Sequence, residues 1–285
     1  MKIPGRFREQ EAAGSNPAAP TILTMTDDQL KQQVKTLLKE PFGLDAEDIA
    51  GHLGSRCPDL RVTSPRGDVT IVELKAKGDD PAELAREREA LQQGGIVSRS
   101  VPMDRRNTLS GIIEDGVEQL RAYDGQDASF SVLWLHAWGR DADLLMDRFR
   151  ATLYGTTNII DMSVTRDTRT GFFIDFNDFH RYRGVLDGAV LSTANCCQLC
   201  INSLSSRAGQ FRQSGFVAAF AAGLCDPEGL EGRGEAYIAD CDIDRRNRQQ
   251  VMNYVRKKYG RERLLDLTLT KHSAIMSIRD LLAQN

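Results

Sequence analysis

Long apolar runs are absent from this sequence. No segment approaches the roughly 20 consecutive apolar residues that a membrane-spanning helix needs. The charged residues Lys2, Arg6 and Arg8 are not followed by the apolar stretch of a secretory signal. We therefore expect a cytoplasmic protein without membrane association, whose six cysteines stay reduced.

A large excess of charge of either sign is also missing. The net charge of the 285-residue chain is only −3, which excludes a polycation that coats nucleic acid through overall charge. The chain has 41% hydrophobic and 27% charged residues, which is enough apolar material for a core without disulfides or metals. If the protein acts on nucleic acid, a local basic surface, bound metal ions or a partner must supply the affinity.

Patterns of histidine and cysteine that hold metals are equally scarce. The four histidines are scattered, without H-x-x-x-H spacing or a Ser/His/Asp order. Cys197-x-x-Cys200, near Cys196, Cys225 and Cys241, lacks the second C-x-x-C pair of a zinc site. Buried structural cysteines are the better interpretation, and zinc is the alternative.

What the sequence does contain is an alternation of helical and strand patterns. Thr26-x-x-Gln29 is a capping box that begins a helix, and Pro41 ends it. Asp45 is a candidate cap for a short second helix. Further helices are predicted over 80–93, 109–120, 141–153, 216–224 and 245–259, and strands over 60–64, 69–75, 130–137, 159–164, 172–176, 186–193, 236–241 and 264–269.

This order predicts an α/β protein with a mixed central sheet flanked by helices. Residues 1–25 show no periodicity and are predicted to be a disordered leader. We place a core over 26–155 and a C-terminal extension or subdomain over 156–285. No linker rich in Pro, Gly and Ser marks that boundary.

Two acids and a lysine are predicted to converge at one end of a hairpin. The turn chemistry of residues 65–68 joins the strands 60–64 and 69–75. Because side chains alternate along a strand, Glu73 and Lys75 share one face. The hairpin brings Asp59 back to the same end. A carboxylate and an ammonium at the end of an otherwise apolar strand are costly to bury unless they pair or bind something.

This grouping suits phosphodiester hydrolysis. Asp59 and Glu73 can supply hard oxygen ligands to Mg²⁺, or to Mn²⁺, and such an ion keeps waters and can bind a phosphate. Lys75 can position the attacking water and offset developing negative charge. An exposed salt bridge is the alternative for Glu73 and Lys75 if they are considered without Asp59.

The segment from Pro58-Asp59 to Glu73-x-Lys75 resembles the PD-(D/E)xK nuclease superfamily, and Gln119-x-x-x-Tyr123 resembles the Q-x-x-x-Y motif of its RecB-like branch. The resemblance covers residues 26–138 and implies a restriction-endonuclease-like core. It implies that Gln119 and Tyr123 touch substrate or orient Lys75. It also implies a further acid near the first helix, for which the candidates are Glu40, Glu47 and Asp48.

A basic stretch near the C-terminus is a candidate nucleic-acid surface. If this stretch forms a helix, its charged face is either exposed to solvent without a binding role or in contact with the phosphates of a nucleic acid. Its members are Arg245, Arg246, Arg248, Arg256, Lys257, Lys258, Arg261 and Arg263.

The function predicted from these features is Mg²⁺-dependent hydrolysis of DNA. The resemblance makes bacterial antiviral defence or restriction a plausible setting. It also suggests a homo-oligomer or a partner protein, since double-strand cutting by this core usually needs two sites. The alternatives are an inactive DNA-binding or protein-interaction module, and a nuclease that is RNA-directed or depends on a partner.

Overall fold

The computed structural model describes residues 26–50, 57–125, 127–163, 168–267 and 270–276. The predicted leader, 1–25, lies outside these ranges. The helices are α1 (Asp27–Lys39), α2 (Pro81–Gln92), α3 (Asn107–Arg121), α4 (Ala142–Tyr154), α5 (Asp178–Arg181), α6 (Ala208–Arg212), α7 (Gly215–Ala219), α8 (Pro227–Gly232) and α9 (Arg248–Tyr259), with a 3₁₀ turn at Ala221–Gly223.

The strands are β1 (Asp45–Asp48), β2 (Leu60–Thr63), β3 (Val69–Lys77), β4 (Ile96–Pro102), β5 (Phe130–Ala137), β6 (Thr157–Asp161), β7 (Thr168–Phe172), β8 (Gly188–Ser192), β9 (Cys197–Ile201), β10 (Leu224–Cys225), β11 (Ala236–Ile238), β12 (Leu264–Leu267) and β13 (Thr270–Met276). No helix within the described ranges combines the length and apolarity required to cross a bilayer.

A seven-stranded mixed sheet dominates the fold, in the order β1-β2-β3-β5-β8-β9-β10. Its centre, β3-β5-β8, is parallel, the pairs β1–β2, β2–β3 and β8–β9 are antiparallel, and β10 pairs parallel with β9. The continuous apolar run 130–137 forms β5, whose residues are buried on both faces apart from the half-buried Ser131. Such runs are typical of strands covered by helices on both faces. The predicted α/β class with a mixed sheet is confirmed.

The seven-stranded sheet takes strands from both sides of residue 155. β5 pairs with β8, so the predicted boundary divides strands that belong to one sheet. A second sheet, in the order β11-β7-β6-β12, is built only from the C-terminal half, and β4 and β13 form a two-stranded ribbon. The C-terminal half therefore both completes the first sheet and adds a second one.

Helices bury an apolar core on each face of the large sheet. On one face, the α1 residues Leu30, Val34 and Leu38 pack in a cluster with Val72 and Trp134. Their four-residue spacing places them on one side of α1, which begins with the predicted Thr26–Gln29 capping box. On the other face, α3 and α4 supply residues such as Ile113, Val117 and Phe149 to a second cluster. Full burial of one such side chain stabilises the fold by about 1.5–3 kcal/mol.

Some elements differ from the sequence predictions. Asp45 does not cap a helix, because residues 45–48 form β1 and pair antiparallel with β2. Strands β4, β9, β10 and β13 were not predicted, and the strand predicted over 172–176 shares only Phe172 with β7. The predicted helix over 216–224 is divided into α7, the 3₁₀ turn and the start of β10. α9 begins at Arg248, where the Asn247 side chain caps it, and not at Arg245.

Gly155 ends α4 and joins it to the segment that follows β7. Its φ of 57° lies in the left-handed region. Its carbonyl accepts hydrogen bonds from the N–H groups of Ile174 and Asp175, at 3.2 and 3.1 Å. A Cβ at this position would lie 2.3 Å from the Asp175 carbonyl oxygen, so there is no room for a side chain. Gly260 ends α9 with a similar φ of 60°, but a Cβ there would meet no atom within 4 Å.

We expect Gly155→Ala to destabilise the protein more than Gly260→Ala, because both place a side chain in the left-handed region but only Gly155→Ala adds a backbone clash. Gly260→Ala should lower the unfolding free energy by about 1–2 kcal/mol. Gly155→Ala should cost at least about 1–3 kcal/mol more. Urea denaturation of both variants measures the difference, and equal losses would contradict the packing argument.

Candidate active site at the end of the β2–β3 hairpin

The candidate site lies where β2 stops and β3 continues. The two strands pair from Thr63–Val69 to Leu60–Val72, whereas β3 runs on beside β5 to Lys77. Residues two apart on a strand turn their N–H groups to the same side, so the next donor facing β2 is the N–H of Leu74. The Asp59 carboxylate Oδ2 accepts this hydrogen bond at 3.0 Å. A side chain thus replaces the missing strand, and Asp59 is fixed opposite Glu73.

Glu73 and Lys75 lie on one face of β3 beneath helix α3. The Lys75 ammonium Nζ is 2.9 Å from Glu73 Oε1 and 2.7 Å from Asp115 Oδ2 of α3. The Glu73 side chain is 1% exposed and that of Lys75 is 18% exposed. A Cβ on Gly116 would lie 2.5 Å from Leu133 Cδ1 and 3.4 Å from Glu73 Cγ, so the glycine lets α3 approach this closely. The predicted convergence of Asp59, Glu73 and Lys75 is present in the structure.

The buried Glu73 carboxyl is electrostatically strained. Burial, and then the nearby Asp59 charge, raise its pKa to about 8 against the opposing effect of Lys75. Its second oxygen, Oε2, is buried and accepts no hydrogen bond from any described residue. A buried acceptor without a donor costs about 1–3 kcal/mol. Both features would be relieved by a proton that Glu73 shares with the Asp59 carboxylate, or by a cation in its place.

The metal predicted from the sequence would be held by two carboxylates. Asp59 and Glu73 provide hard oxygen donors of the kind that Mg²⁺ takes in ones and twos, with water in its other positions. In the described ranges no group of three or more His, Cys, Asp or Glu side chains is arranged to hold a metal ion. The residues present therefore fit an ion that keeps much of its water, and they do not form an all-protein cage.

Lys31 is a member of the cluster that the sequence analysis missed. From α1, its Nζ lies 2.8 Å from Asp59 Oδ1. Partial burial lowers the pKa of Lys31, but the hydrogen bond to Asp59 and the charges of Asp59, Asp48 and Glu73 outweigh it, and the pKa is raised. The signal was the helical spacing itself, which places Lys31 beside the buried Leu30 and Val34, at the border of the apolar face.

The three candidates for a further acid occupy different places. Asp48 is on β1 and pairs with Lys35 at 2.8 Å, and its charge acts on Lys31. Glu47 points to Arg61, at 3.9 Å. Glu40 caps the far end of α1, about 13 Å along the helix from Lys31. Of the three, Asp48 is the acid associated with the cluster.

Gln119 and Tyr123 have different polar partners. Gln119 Nε2 donates to Asp115 Oδ2 at 3.3 Å, so it is connected to Lys75 through Asp115. Tyr123 lies beyond the end of α3, packs against the core, and its hydroxyl donates to Asp127 Oδ1 at 2.9 Å. Asp127 also binds Arg61 at 2.8 Å. The Tyr123 hydroxyl therefore bonds to this ion pair and not to Asp59, Glu73 or Lys75.

Five of the eight residues of the basic stretch have partners within the chain, and one of them, Arg261, lies 3.5 Å from Asp161. Arg245 is 3% exposed, precedes α9 and donates to the carbonyls of Ala239, Cys241 and Ile243. The other three are also bound: Arg248 to Asp175 and Asp266, Arg256 to the Leu264 carbonyl, and Lys258 to Glu231 and Asp240.

Arg246, Lys257 and Arg263 are the remaining three. All are exposed, and none forms an ion pair with a residue that the structure describes. Arg246 lies over the Phe176 ring, with 5.5 Å from its Cζ to the ring centroid. The predicted surface therefore retains three available cations on this segment, and the nucleic-acid role of the segment stays a prediction.

Comparison with known proteins does not assign the chain to a family. Neither a family model, nor a curated protein, nor a solved structure matches the chain.

The raised pKa of Glu73 predicts how stability depends on pH. An unperturbed glutamate titrates near 4.5, and folded Glu73 near 8, so the folded state holds this proton more tightly. The stabilising effect is present in full below about pH 4.5 and is lost as pH rises through 8. In EDTA, the unfolding free energy of the wild type should fall relative to Glu73→Gln by up to about 1.4 kcal/mol per pH unit in this interval.

Urea denaturation at pH 5, 7 and 9 measures this dependence. Glu262→Gln is the control, since Glu262 is exposed and forms no ion pair within the described residues. It should follow the wild type at every pH. Parallel curves for the wild type and Glu73→Gln would show that burial does not hold the proton on Glu73.

Proposed function

We propose that the protein is a metal-dependent nuclease that hydrolyses phosphodiester bonds in DNA at the site formed by Asp59, Glu73 and Lys75. The observation that carries the proposal is their convergence where the β2–β3 pairing ends, with the buried Glu73 Oε2 lacking a donor among the described residues. When Glu73 is ionised, an ion held between Asp59 and Glu73 would satisfy this oxygen.

The balance of charge at the site supports this proposal. With Glu73 protonated, the ammonium groups of Lys31 and Lys75 balance the carboxylates of Asp59 and Asp115. Loss of the Glu73 proton leaves one negative charge in excess, which is the state that attracts a divalent cation. The site can thus pass between a neutral form and a cation-binding form by one proton.

Asp59 and Glu73 would hold the ion. When bound, Mg²⁺ would polarise the phosphoryl oxygens and lower the pKa of a coordinated water. Asp59 is kept in place by the Leu74 N–H, so its orientation does not depend on the ion. Ordered ligands of this kind reduce the reorganisation required on binding.

The position of the Lys75 ammonium group suits a role in the chemical step. Two carboxylates, Glu73 and Asp115, fix its ammonium group, and Gln119 supports Asp115. A fixed ammonium can orient the attacking water and stabilise charge that develops on the phosphoryl oxygens. Substitution of Lys75 should therefore reduce turnover more than it reduces metal binding.

DNA cleavage should depend on Lys75 and not on Lys77. Lys77 is on the same strand and face, two residues further on, and is exposed without an ion pair among the described residues. We expect Lys75→Met to lower the rate by at least about 100-fold, and Lys77→Met to leave it within about twofold. Asp59→Asn should abolish metal-dependent cleavage.

The assay uses supercoiled plasmid, an end-labelled duplex and an RNA of the same sequence, with Mg²⁺, Mn²⁺ or EDTA. Plasmid nicking separates endonuclease from exonuclease activity, and the RNA tests the alternative substrate. The proposal fails if the wild type neither cuts any substrate nor binds Mn²⁺, or if Lys75→Met and Asp59→Asn cut as the wild type does.

Lys31 should compete with the metal for Asp59. Its ammonium contacts Asp59 Oδ1 directly, so a cation held by this carboxylate would repel it. Lys31 would then be released towards a substrate phosphate. Lys31→Met should raise Mn²⁺ affinity about tenfold or more, because it removes a positive charge next to the ion, while lowering the cleavage rate.

Lys39→Met is the matched control for this measurement. Lys39 is also on α1, but it is exposed and forms no ion pair with a residue that the structure describes. Isothermal titration with Mn²⁺ compares the two variants. Equal affinities for Lys31→Met and Lys39→Met would refute the competition, whereas a wild type without Mn²⁺ binding would refute the metal site.

A further inference from the structure

A cavity of about 530 Å³ lies between the two sheets, away from the candidate active site. Its walls come from β6 and β7 of the second sheet, β9 and β10 of the first sheet, helix α4 and strand β13. None of Asp59, Glu73 and Lys75 lines it. The volume is within the range of roughly 300–1,000 Å³ that is common for small-molecule sites.

Polar side chains with unused hydrogen-bonding capacity face this cavity. Asn158 of β6 and Thr170 of β7 are directly paired across the strands, so their side chains are on the same face of the sheet. Neither side chain bonds to another residue in the described ranges. Gln198 of β9 also lines the cavity, and its amide oxygen is turned away from the cavity surface, which leaves the amide nitrogen as its donor to a ligand. A ligand with both N–H donors and acceptors would satisfy these groups.

One wall carries positive charge in excess of its acids. Arg150 of α4 and Lys271 of β13 both pair with a single carboxylate, that of Asp147. Arg150 uses one of its five donors in this bond and is about one-third exposed. Asp104 pairs with Arg106, whereas Asp175 shares Arg248 with Asp266, so the excess positive charge is confined to the wall formed by Arg150 and Lys271. The uncompensated charge at Arg150 and Lys271 favours an anionic group.

Apolar side chains complete the lining. Leu224 of β10 is one of the few large apolar residues with substantial exposure, at 38%, and it lines this cavity. Phe172, Leu230 and Met103 are also part of the wall. Apolar surface beside a few convergent polar groups is the usual composition of a site for a ring-containing ligand.

We propose that this cavity binds a nucleoside monophosphate. The base would lie against the apolar wall and exchange hydrogen bonds with Gln198, Asn158 and Thr170. The phosphate would bind Arg150 and Lys271, with Arg150 able to present two parallel N–H groups to it. A nucleoside alone would leave the cationic wall unused, and inorganic phosphate alone would leave the amide and hydroxyl groups unused.

Isothermal titration of the full chain in EDTA tests the proposal, with AMP, GMP, CMP and TMP as separate probes. At least one nucleotide should bind with one-to-one stoichiometry, and about tenfold or more tightly than phosphate or its own nucleoside. Binding should persist in Asp59→Asn and Lys75→Met proteins. Because nucleotide binding would not require Asp59 or Lys75, the titration tests the cavity independently of the proposed nuclease function.

Two variants place the ligand in the cavity. Arg150→Gln removes the anion-binding guanidinium and should weaken binding about tenfold or more. Leu224→Trp fills the cavity without removing a polar contact and should abolish binding. Arg233→Gln, at an exposed arginine that pairs with Glu235 and does not line the cavity, should bind as the wild type does. Thermal unfolding verifies that each variant folds.

Three results would overturn the proposal. One is that none of the four nucleotides binds. Another is that phosphate binds as tightly as every nucleotide, because the base would then make no contribution. The third is that Arg150→Gln and Leu224→Trp, both folded, bind the nucleotide as tightly as the wild type.

Discussion

One hydrogen bond organises the candidate site, the bond from the Leu74 N–H to the Asp59 carboxylate. A strand that extends beyond its neighbour leaves a backbone N–H group without a partner, and a buried N–H group needs a hydrogen-bond acceptor. Because a side chain satisfies it here, a carboxylate is fixed beside Glu73. The opposing helices α1 and α3 then each bring one charged residue to the pair, Lys31 and Asp115. The charged residues of the site therefore surround the point where the pairing of β2 with β3 ends.

The central part of the site was predictable because it is local. The turn at 65–68 sets the register of β2 and β3, and the register places Asp59 opposite Glu73. Periodicity likewise identified the buried face of α1, and a continuous apolar run identified the largely buried β5. Helical spacing places Lys31 at the border of the buried face of α1, but the contacts of Lys31 and Asp115 with the site were not predictable, since spacing does not reveal which strand end a helix meets. β1 carries three acids and no apolar alternation, so only its pairing with β2 makes it a strand.

The basic stretch shows the limit of counting charges along a sequence. An arginine presents five donors in a rigid plane, which suits a cluster of carbonyl oxygens as well as a phosphate. Arg245 and Arg256 use these donors to hold loop and strand carbonyls, and Arg248 connects two acids from different elements. The segment stabilises the second sheet at least as much as it offers charge to solvent.

The position of β5 between β3 and β8 has a consequence for synthesis on the ribosome. Val132 to His136 pair with both neighbours in the finished sheet. The first residue of β8, Gly188, is translated 51 residues after Ala137, the last residue of β5. At about 5–20 residues per second, one edge of this apolar strand stays open for roughly 3–10 seconds. An open apolar edge is a template for pairing with other chains. The nascent chain should therefore depend on chaperones or rapid translation during that interval.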